Sequence, residues 1–332
     1  MYGSVKRKET QYMQVIFITR PNMPEDVANS IHAAIEHLQV EGIKSRSLPV
    51  NENRMDEEVL SEEDTLYLTD DTELLAYLIP KELPVVALSH AYNADADLSG
   101  AAYVFSEPEE IDADSYIKAY ERQMGLPWQI LETKRLLIRE TTVEDVDCFY
   151  EIYKDPSMTK YMEGLFANPE DEKRYMRDYI KNVYALMGFG VWTVILKETG
   201  EVIGRAGFSI RSGFDKPELG FLIGVKHQGQ GYAQEALQAI LTYGREILGF
   251  ETVQALVKEG NEESVHILKK LGFEIEGLAK AEENIYGDSY QGIDVRAGQF
   301  APADAGESKI NKTDQESRGQ RGIFIEMVYR SI

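Results

Sequence analysis

The chain carries a short glycine-containing run whose position suits it to bind an anion. The run consists of Gln228, Gly229, Gln230, Gly231, Tyr232 and Ala233, and it follows a strand-like segment and opens a helical one. The first N–H groups of a helix lack intrahelical partners and lie at the positive end of its dipole, so they bind phosphate. Glycines allow the anion to approach the backbone closely. The run therefore predicts a site for a phosphate-bearing ligand.

Two common phosphate-binding loops are excluded by the details of this run. No Gly-Lys-Ser/Thr follows it, so it is not a P-loop, and it lacks the third glycine of a dinucleotide-binding fingerprint. A loop of this length is a weak signal alone, and its meaning depends on the segments around it.

Those segments resemble the GNAT superfamily of N-acetyltransferases. The glycine run is similar to the family's Q/R-x-x-G-x-G/A pyrophosphate loop, and the segment from Asn261 to Phe273 resembles its N-x-x-S…L-G-F helix. The stretch TKRLLIRE is most similar to the branch that acetylates the N-termini of ribosomal proteins. The resemblance covers residues 131–283 and 323–332. It implies an N-acetyltransferase whose co-substrate is acetyl-CoA.

The resemblance also implies where the co-substrate binds. In the family, the pantetheine arm lies along the fourth strand, where the fourth and fifth strands separate. Its backbone partners here would be Ile223, Gly224 and Val225, one of which supplies an N–H to the oxyanion. The pyrophosphate would lie on the amides from Gln228 to Ala233. Asn261 would both cap its helix and contact the cofactor.

Acetyl transfer needs a base that takes a proton from the amine and an acid that protonates the departing thiolate. Glu218, directly or through water, is the candidate base, with an exposed strand carboxylate as the alternative. Ser264 resembles the family serine near the cofactor sulfur and is the candidate acid. Its alternative role is hydrogen bonding in the first turn of its helix.

One position departs from the family pattern. Many relatives carry a tyrosine as general acid seven residues after the asparagine, and this chain has Leu268 there. The acid is then Ser264, water, or a tyrosine from elsewhere, such as Tyr286 or Tyr290. The departure also leaves open a second function, a catalytically weak acyl-CoA-binding sensor coupled to the N-terminal part of the chain.

The acceptor is expected to be a primary amine, on a protein N-terminus or on a small molecule. Tyr161, Met162 and Phe166 could form an apolar wall for it, with core packing or plain surface as alternatives. The net charge of −22 argues against nucleic acid as a partner and suits, weakly, a cationic acceptor. Self-association is left open.

The elements that must position these residues divide into two predicted domains after a flexible N-terminus at 1–13. In residues 14–125, apolar runs alternate with helical stretches, which predicts a small doubly wound α/β domain with a parallel sheet. Residues 126–332 are predicted to form an α+β acetyltransferase domain with a mixed sheet. Its expected order is strand, two helices, three strands, motif helix, strand, helix and two strands. Thr142 and Asn168 are the expected N-caps of the first two helices, and Pro169 is expected to begin the second. A turn at 199–200 is expected to join the next two strands in a hairpin.

The first domain has a less certain relationship. Residues 83–112 resemble the end of a response-regulator receiver domain, which would put Asp70 at the phosphoacceptor position, and also the later half of haloacid-dehalogenase-type phosphatases. Glu107 stands where the receiver lysine would be. We therefore predict a non-catalytic module, either a packing and oligomerisation partner or a regulatory, ligand-binding one. Asp70 and Asp71 are expected to cap a helix, and no metal site is predicted.

Residues 284–322 are too polar to bury a core and are predicted to be a disordered insertion, either a surface insertion or a lid. No apolar run is long enough to span a membrane, and the N-terminus lacks the apolar core of a signal peptide. The single cysteine, Cys148, excludes an internal disulfide and a cysteine-based zinc site. These features predict a cytoplasmic protein.

Overall fold

The computed structural model describes residues 13–20, 22–49, 60, 62–282, 290 and 321–330. The chain divides into two compact units, Met1–Trp128 and Gln129–Ile332. The predictions for residues 1–12, for Tyr286 and for nearly all of the 284–322 insertion lie outside the described residues. Within the described ranges, no helix has the length and apolar character needed to cross a membrane.

The first unit is built on a parallel five-stranded sheet of order β2-β1-β3-β4-β5. The strands are β1 (Gln14–Thr19), β2 (Lys44–Pro49), β3 (Thr65–Thr69), β4 (Val85–Ser89) and β5 (Val104–Ser106). The helices are α1 (Glu25–Val40), α2 (Thr72–Leu78) and α3 (Ala113–Gln123). Val15 and Phe17 of β1 enter one core and Ile16 and Ile18 enter another. Side chains alternate along a strand, so both faces of the sheet are covered, which confirms the doubly wound prediction.

The helix cap predicted for the aspartate pair of this unit belongs to Asp71 alone. Its carboxylate accepts hydrogen bonds from the N–H groups of Glu73 and Leu74, at 2.9 and 3.0 Å. Asp70 is buried, and its Oδ2 lies 3.2 Å from Nε2 of His90. The two neighbouring carboxylates therefore face different surroundings.

The second unit contains a mixed eight-stranded sheet of order β12-β13-β11-β10-β9-β8-β7-β6. Its strands are β6 (Gln129–Glu132), β7 (Leu136–Arg139), β8 (Val191–Leu196), β9 (Glu201–Ser209), β10 (Glu218–Ile223), β11 (Thr252–Lys258), β12 (Glu274–Glu282) and β13 (Arg321–Arg330). Its helices are α4 (Asp145–Tyr153), α5 (Pro169–Tyr179), α6 (Tyr232–Glu246) and α7 (Glu262–Lys270). From β7 onward, this is the predicted order of elements. The edge strand β6 was not predicted, because its residues read as a lead-in to β7.

The two faces of this sheet carry different helices. Trp192 of β8 contacts both Phe208 of β9 and Tyr243 of α6 edge to face, and its ring centre lies 5.8 Å from that of Tyr243. On the opposite face, the guanidinium of Arg205 in β9 lies over the ring of Phe149 in α4. We call these the α6 face and the α4 face. Residues that are paired across neighbouring strands share a face, so the register assigns each strand residue to one of them.

The start of α5 agrees with the prediction from the sequence, and the start of α4 does not. Asn168 caps α5 by accepting from the N–H of Glu170, and Pro169 begins the helix, as predicted. The helix continues through a π-helical turn, Ile180–Tyr184. Thr142 was predicted to cap α4, and this is wrong. Its own N–H donates to the carboxylate of Asp145 inside the helix, so the direction of the hydrogen bond is reversed.

Candidate active site

A wedge opens in the middle of the large sheet, between the parallel strands β10 and β11. Their register contains one pair, Glu218 with Gln254, next to a hydrogen bond from the N–H of Gln254 to the carbonyl of Pro217. On its other side, β10 pairs with β9 along its whole length. Beyond Glu218, the edge of β10 that faces β11 is therefore free of strand partners among the described residues. It offers backbone donors and acceptors to an extended ligand.

The direction of each amide in β10 follows from its pairing with β9. The N–H of Gly224 donates to the carbonyl of Ile203 in β9, at 2.8 Å. Successive amides of an extended segment point to opposite edges, and Gly224 is extended, with φ −55° and ψ 142°. The amides of Ile223 and of Val225, which begins a short 3-10 helix, Val225–His227, therefore face the wedge. The predicted set of three backbone donors is therefore corrected to two. Gly224 is excluded because its N–H is already used within the sheet.

The glycine loop at the open end of the wedge leads directly into α6. Gly229 and Gly231 both have positive φ, +73° and +79°, a backbone conformation that favours glycine. Gly231 is the N-cap of α6, and no side chain of the described residues caps the helix. A Cβ built at Gly229 would meet no described atom within 4 Å, so the backbone there is bare. An uncapped helix start behind bare glycines fits the diphosphate of acetyl-CoA.

The side chains of the predicted loop residues serve the protein itself. Gln228 donates through Nε2 to the carbonyl of Ile223 at 2.8 Å, and Gln230 donates to the carbonyl of Lys226 at 3.2 Å. Tyr232 is buried in the core. These contacts fix the loop, which leaves the backbone amides of Gly229, Gly231 and Ala233 as the groups suited to the anion.

A clamp that the sequence reading missed joins this loop to the start of β7. The carboxylate of Glu235, in the first turn of α6, accepts from Oγ1 of Thr133 at 2.6 Å, and from the backbone N–H and Nε of Arg135 at 2.9 and 2.6 Å. Arg135 also donates from Nη1 to the carbonyl of Gln230 at 2.9 Å, and its guanidinium lies 4.3 Å from the ring centre of Tyr232. The clamp therefore holds a cation beside the anion-binding loop.

The clamp is electrostatically balanced. Burial alone would raise the pKa of Glu235, but hydrogen bonds from Thr133 and Arg135 outweigh burial and hold the pKa below its usual range. The ionised carboxylate and the guanidinium thus neutralise each other. The run TKRLLIRE was the available signal, yet the partner lies 100 positions away along the chain.

Glu218, the candidate base, is held in an ion pair. Its carboxylate accepts hydrogen bonds from Nε and Nη2 of Arg211, at 2.5 and 3.2 Å, and Glu218 is buried. This excludes the alternative of a freely exposed strand carboxylate. It also means that a proton reaches Glu218 only if the contact with Arg211 loosens or a water carries the proton.

The start of α7 brings the other two predicted residues together. Oδ1 of Asn261 accepts from the N–H of Ser264 at 3.2 Å, so Asn261 is the N-cap, as predicted. Ser264 is half-buried, and its backbone makes this contact. A cavity of about 530 Å³ borders the same turn, and Gly260, Asn261, Val265 and His266 are among its lining residues. Asn261 thus has access to open space while it caps the helix.

The position where relatives carry a catalytic tyrosine is closed. Leu268 is fully buried in the core of the second unit. Tyr290, one proposed substitute, is also buried, and its hydroxyl donates to the carboxylate of Asp178 on α5. Burial, together with this contact, raises the pKa of Tyr290. Tyr290 is thus engaged within the core, and the acid stays predicted as Ser264, water or Tyr286, of which Tyr286 lies outside the described residues.

The three residues predicted to form an acceptor wall differ in burial. Phe166 is in the core beside Tyr175, with ring centres 6.0 Å apart, whereas Met162 is exposed. Tyr161 lies near Gly260, 3.7 Å from the position of a Cβ there. The alternative of core packing therefore applies to Phe166, and an acceptor contact stays a prediction for Tyr161 and Met162. The connection still approaches the cofactor loop, since Sδ of Met158 accepts from Nε2 of Gln228 at 3.8 Å.

Comparison with known proteins gives consistent relatives for this part of the chain. The profile of the family described as "Acetyltransferase (GNAT) domain" matches residues 135–274. An uncharacterized N-acetyltransferase, p20, of Bacillus licheniformis is 34% identical over 163 residues, which span 48% of this chain and 90% of that protein.

Two relatives with named substrates match over shorter stretches. The [ribosomal protein uS5]-alanine N-acetyltransferase of Escherichia coli is 40% identical over 82 residues, 24% of this chain and 42% of that protein. The spermidine N(1)-acetyltransferase of Escherichia coli is 34% identical over 62 residues, 19% of this chain and 33% of that protein.

Proposed function

The chain belongs to the GNAT family of acetyltransferases, and from this we propose that it transfers the acetyl group of acetyl-CoA directly to a primary amine. It is an N-acetyltransferase, with acetyl-CoA as its co-substrate. The proposed acceptor is a protein N-terminus or a small-molecule amine. The names of the uS5-alanine and spermidine enzymes support this range, although this chain covers less than half of each.

The observation that carries the proposal is the wedge between β10 and β11, which ends at the uncapped start of α6. The amides of Ile223 and Val225 face the wedge, and the backbone of Gly229 and Gly231 follows at its open end, where only Gly229 is free of described atoms within 4 Å of its Cβ position. An extended arm with a diphosphate at one end and a carbonyl at the other matches these two groups of donors.

The residues of this chain have distinct roles in the proposed reaction. When it is bound, acetyl-CoA supplies a thioester carbonyl that is activated toward an amine. The N–H of Ile223 or Val225 donates to the carbonyl oxygen and stabilises the negative charge that develops there. Glu218 receives the proton of the amine through water, and Ser264 donates a proton to the departing thiolate. Ser264 then regains a proton from water and Glu218 releases its proton to water, so the site returns to its starting state.

The test begins with isothermal titration of acetyl-CoA into the wild type and Gly231→Glu. The variant places a negative charge and a side chain at the anion site, where φ is +79°. Gly249→Glu is the matched control, since φ there is +70° and the residue follows the other end of α6. We expect micromolar binding by the wild type and the control, and loss of binding in Gly231→Glu.

Acetylation is then measured with a panel of primary amines by release of free CoA thiol. Turnover with an amine above the rate of acetyl-CoA hydrolysis supports the proposal. If acetyl-CoA binds but no amine in the panel raises thiol release, direct transfer to an amine is contradicted. If Gly231→Glu binds as well as the control, the anion site has been placed incorrectly.

A further inference from the structure

A guanidinium whose buried Nε has no hydrogen-bond partner among the described residues lies on the α4 face of the large sheet. Arg205 of β9 is half-buried, and its Nε is buried with no hydrogen-bond partner among the described residues. No ion pair of 4 Å or less joins it to a described carboxylate. Its guanidinium carbon lies 4.7 Å from the ring centre of Phe149. Buried polar groups in folded proteins almost always have partners, so this arrangement calls for an explanation.

The carboxylate whose charge acts on Arg205 accepts a hydrogen bond from another group. Glu172 of α5 is buried, and its Oε2 accepts from the backbone N–H of Phe166 at 3.1 Å. Burial raises the pKa of Glu172, while the charge of Arg205 acts in the opposite direction. Tyr184, another neighbour of Arg205, donates its hydroxyl to the carbonyl of Val191. These hydrogen bonds of Glu172 and Tyr184 therefore do not use the N–H donors of Arg205.

Register places this guanidinium close to the end of the wedge. Arg205 pairs with Leu222, the residue before Ile223 in β10, so the two share the α4 face. Along α4, Phe149 lies against Arg205, and Ile152 lies 3.4 Å from the Cβ position at Gly224. Three residues of helix rise about 4.5 Å. Arg205 is thus roughly one helical turn from the strand end where the acetyl carbonyl would bind.

Building on the proposed function, we propose that Arg205 binds a carboxylate of the acceptor, so that the acceptor is an amine with a carboxylate near its amino group. Guanidinium and carboxylate form a two-pronged pair, which would use the unpaired N–H groups. The nearby Glu172 disfavours a doubly charged group such as phosphate. The carboxylate could be the α-carboxylate of a free amino acid or an acidic side chain next to a peptide N-terminus.

The site can be tested without knowing the natural acceptor. In saturating CoA, the melting temperature is measured with a panel of N-acetylated amino acids, each against its uncharged amide. A second arm uses N-acetylated dipeptide amides with Asp or Glu in the second position, against Asn or Gln. The two arms distinguish the sources of the carboxylate. The variants are Arg205→Met, Arg205→Lys and, as control, Arg245→Met, which removes an exposed arginine paired with Glu246.

We expect at least one acid to stabilise the wild type and Arg245→Met more than its amide does. The difference should disappear in Arg205→Met and be reduced in Arg205→Lys. With any accepted amine of this class, Arg205→Met should raise the KM for the acceptor at least ten-fold and leave the KM for acetyl-CoA unchanged.

The inference is overturned if no acid binds the wild type better than its amide, or if the preference survives in Arg205→Met. The comparison on the wild type alone decides the first outcome, even if Arg205→Met fails to fold. Failure of the proposed function would give a different result. CoA itself would then not bind, or amines of every class would remain unacetylated.

Discussion

Arg135 shows how one side chain can make a helix start suitable for an anion despite a carboxylate in its first turn. Glu235 lies in that turn of α6, where its charge alone would oppose a diphosphate. Arg135 pairs with it and also bonds the carbonyl of Gln230 in the loop. The loop is thus both fixed in position and relieved of a repulsive charge.

Replacing Arg135 with Gln should therefore weaken acetyl-CoA binding by roughly ten-fold, or about 1.4 kcal/mol. S-acetylpantetheine, which lacks the diphosphate, should bind as before, because Arg135 lies at the loop and away from the wedge. Titration calorimetry with both ligands measures this. The double variant Arg135→Gln/Glu235→Gln should recover part of the loss. An equal loss for the two ligands would mean that Arg135 supports only the fold.

Ser264 can be tested without disturbing its helix, since its backbone N–H, and not its hydroxyl, bonds the cap residue Asn261. If the hydroxyl protonates the thiolate, Ser264→Ala should lower kcat by about 100-fold, the usual scale for a lost general acid. The KM for acetyl-CoA and the melting temperature should stay unchanged. Unaltered kcat would assign the acid role to water.

The ion pair of Asp145 with Arg139 should stabilise the folded state to an extent that depends on pH. Burial alone would raise the pKa of Asp145, but hydrogen bonds and the charge of Arg139, with further bonds from Thr142 and Thr193, lower the pKa below its usual value. The contribution is present above the pKa of the unfolded chain, about 3.9. It is lost as the pH falls through the lower folded value.

Asp145→Asn should accordingly destabilise the second unit by roughly 3 kcal/mol at pH 7, the scale for removing one partner of a buried pair. Urea unfolding at several pH values tests this. The difference between wild type and variant should shrink as the pH falls below about 4. A difference that is independent of pH would show that packing, and not charge, is responsible.

At the scale of the elements, the candidate site lies where the end of β10 separates from β11 and the chain continues into the start of α6. Local sequence predicted the elements well, because the loop, the Asn168 and Asn261 caps and the hairpin turn at Gly200 are each determined by neighbouring residues. The direction of the Gly224 amide was not predictable in this way. It depends on the pairing of β10 with β9, which only the assembled sheet sets.

The two asparagine caps offer a matched test of this element-scale account. Asn261→Ala and Asn168→Ala each remove a side-chain cap, of α7 and α5 respectively, and each should cost about 1 kcal/mol of stability. Only Asn261 borders the open space at the start of α7. Acetyl-CoA binding should therefore weaken in Asn261→Ala alone. Equal affinities in the two variants would limit Asn261 to its capping role.

Contacts between distant segments could not be predicted from the sequence. Arg135 pairs with Glu235 because α6 packs beside the start of β7, and Arg205 contacts Phe149 because α4 packs on β9. The core position of Phe166 beside Tyr175 could not be read from the sequence for the same reason.

In the whole molecule, the observations that support acetyl transfer all lie in the second unit. The second unit contains the wedge, the loop and the family match at residues 135–274. The first unit has its own parallel sheet and cores, and we propose a non-catalytic role for it. An acyl-CoA sensor, the alternative function, would require acetyl-CoA binding to change the behaviour of this first unit.

Amide hydrogen exchange, followed residue by residue with and without acetyl-CoA, tests whether the wedge and the glycine loop bind the co-substrate. Binding should slow exchange at Ile223, Val225, Gly229, Gly231 and Ala233. Gly224 should be slow in both states, because its N–H is already bonded to Ile203, and the first unit should be unaffected. Unchanged exchange at Ile223 and Val225 in the presence of bound acetyl-CoA would contradict the claim that the wedge holds the reacting end of the co-substrate.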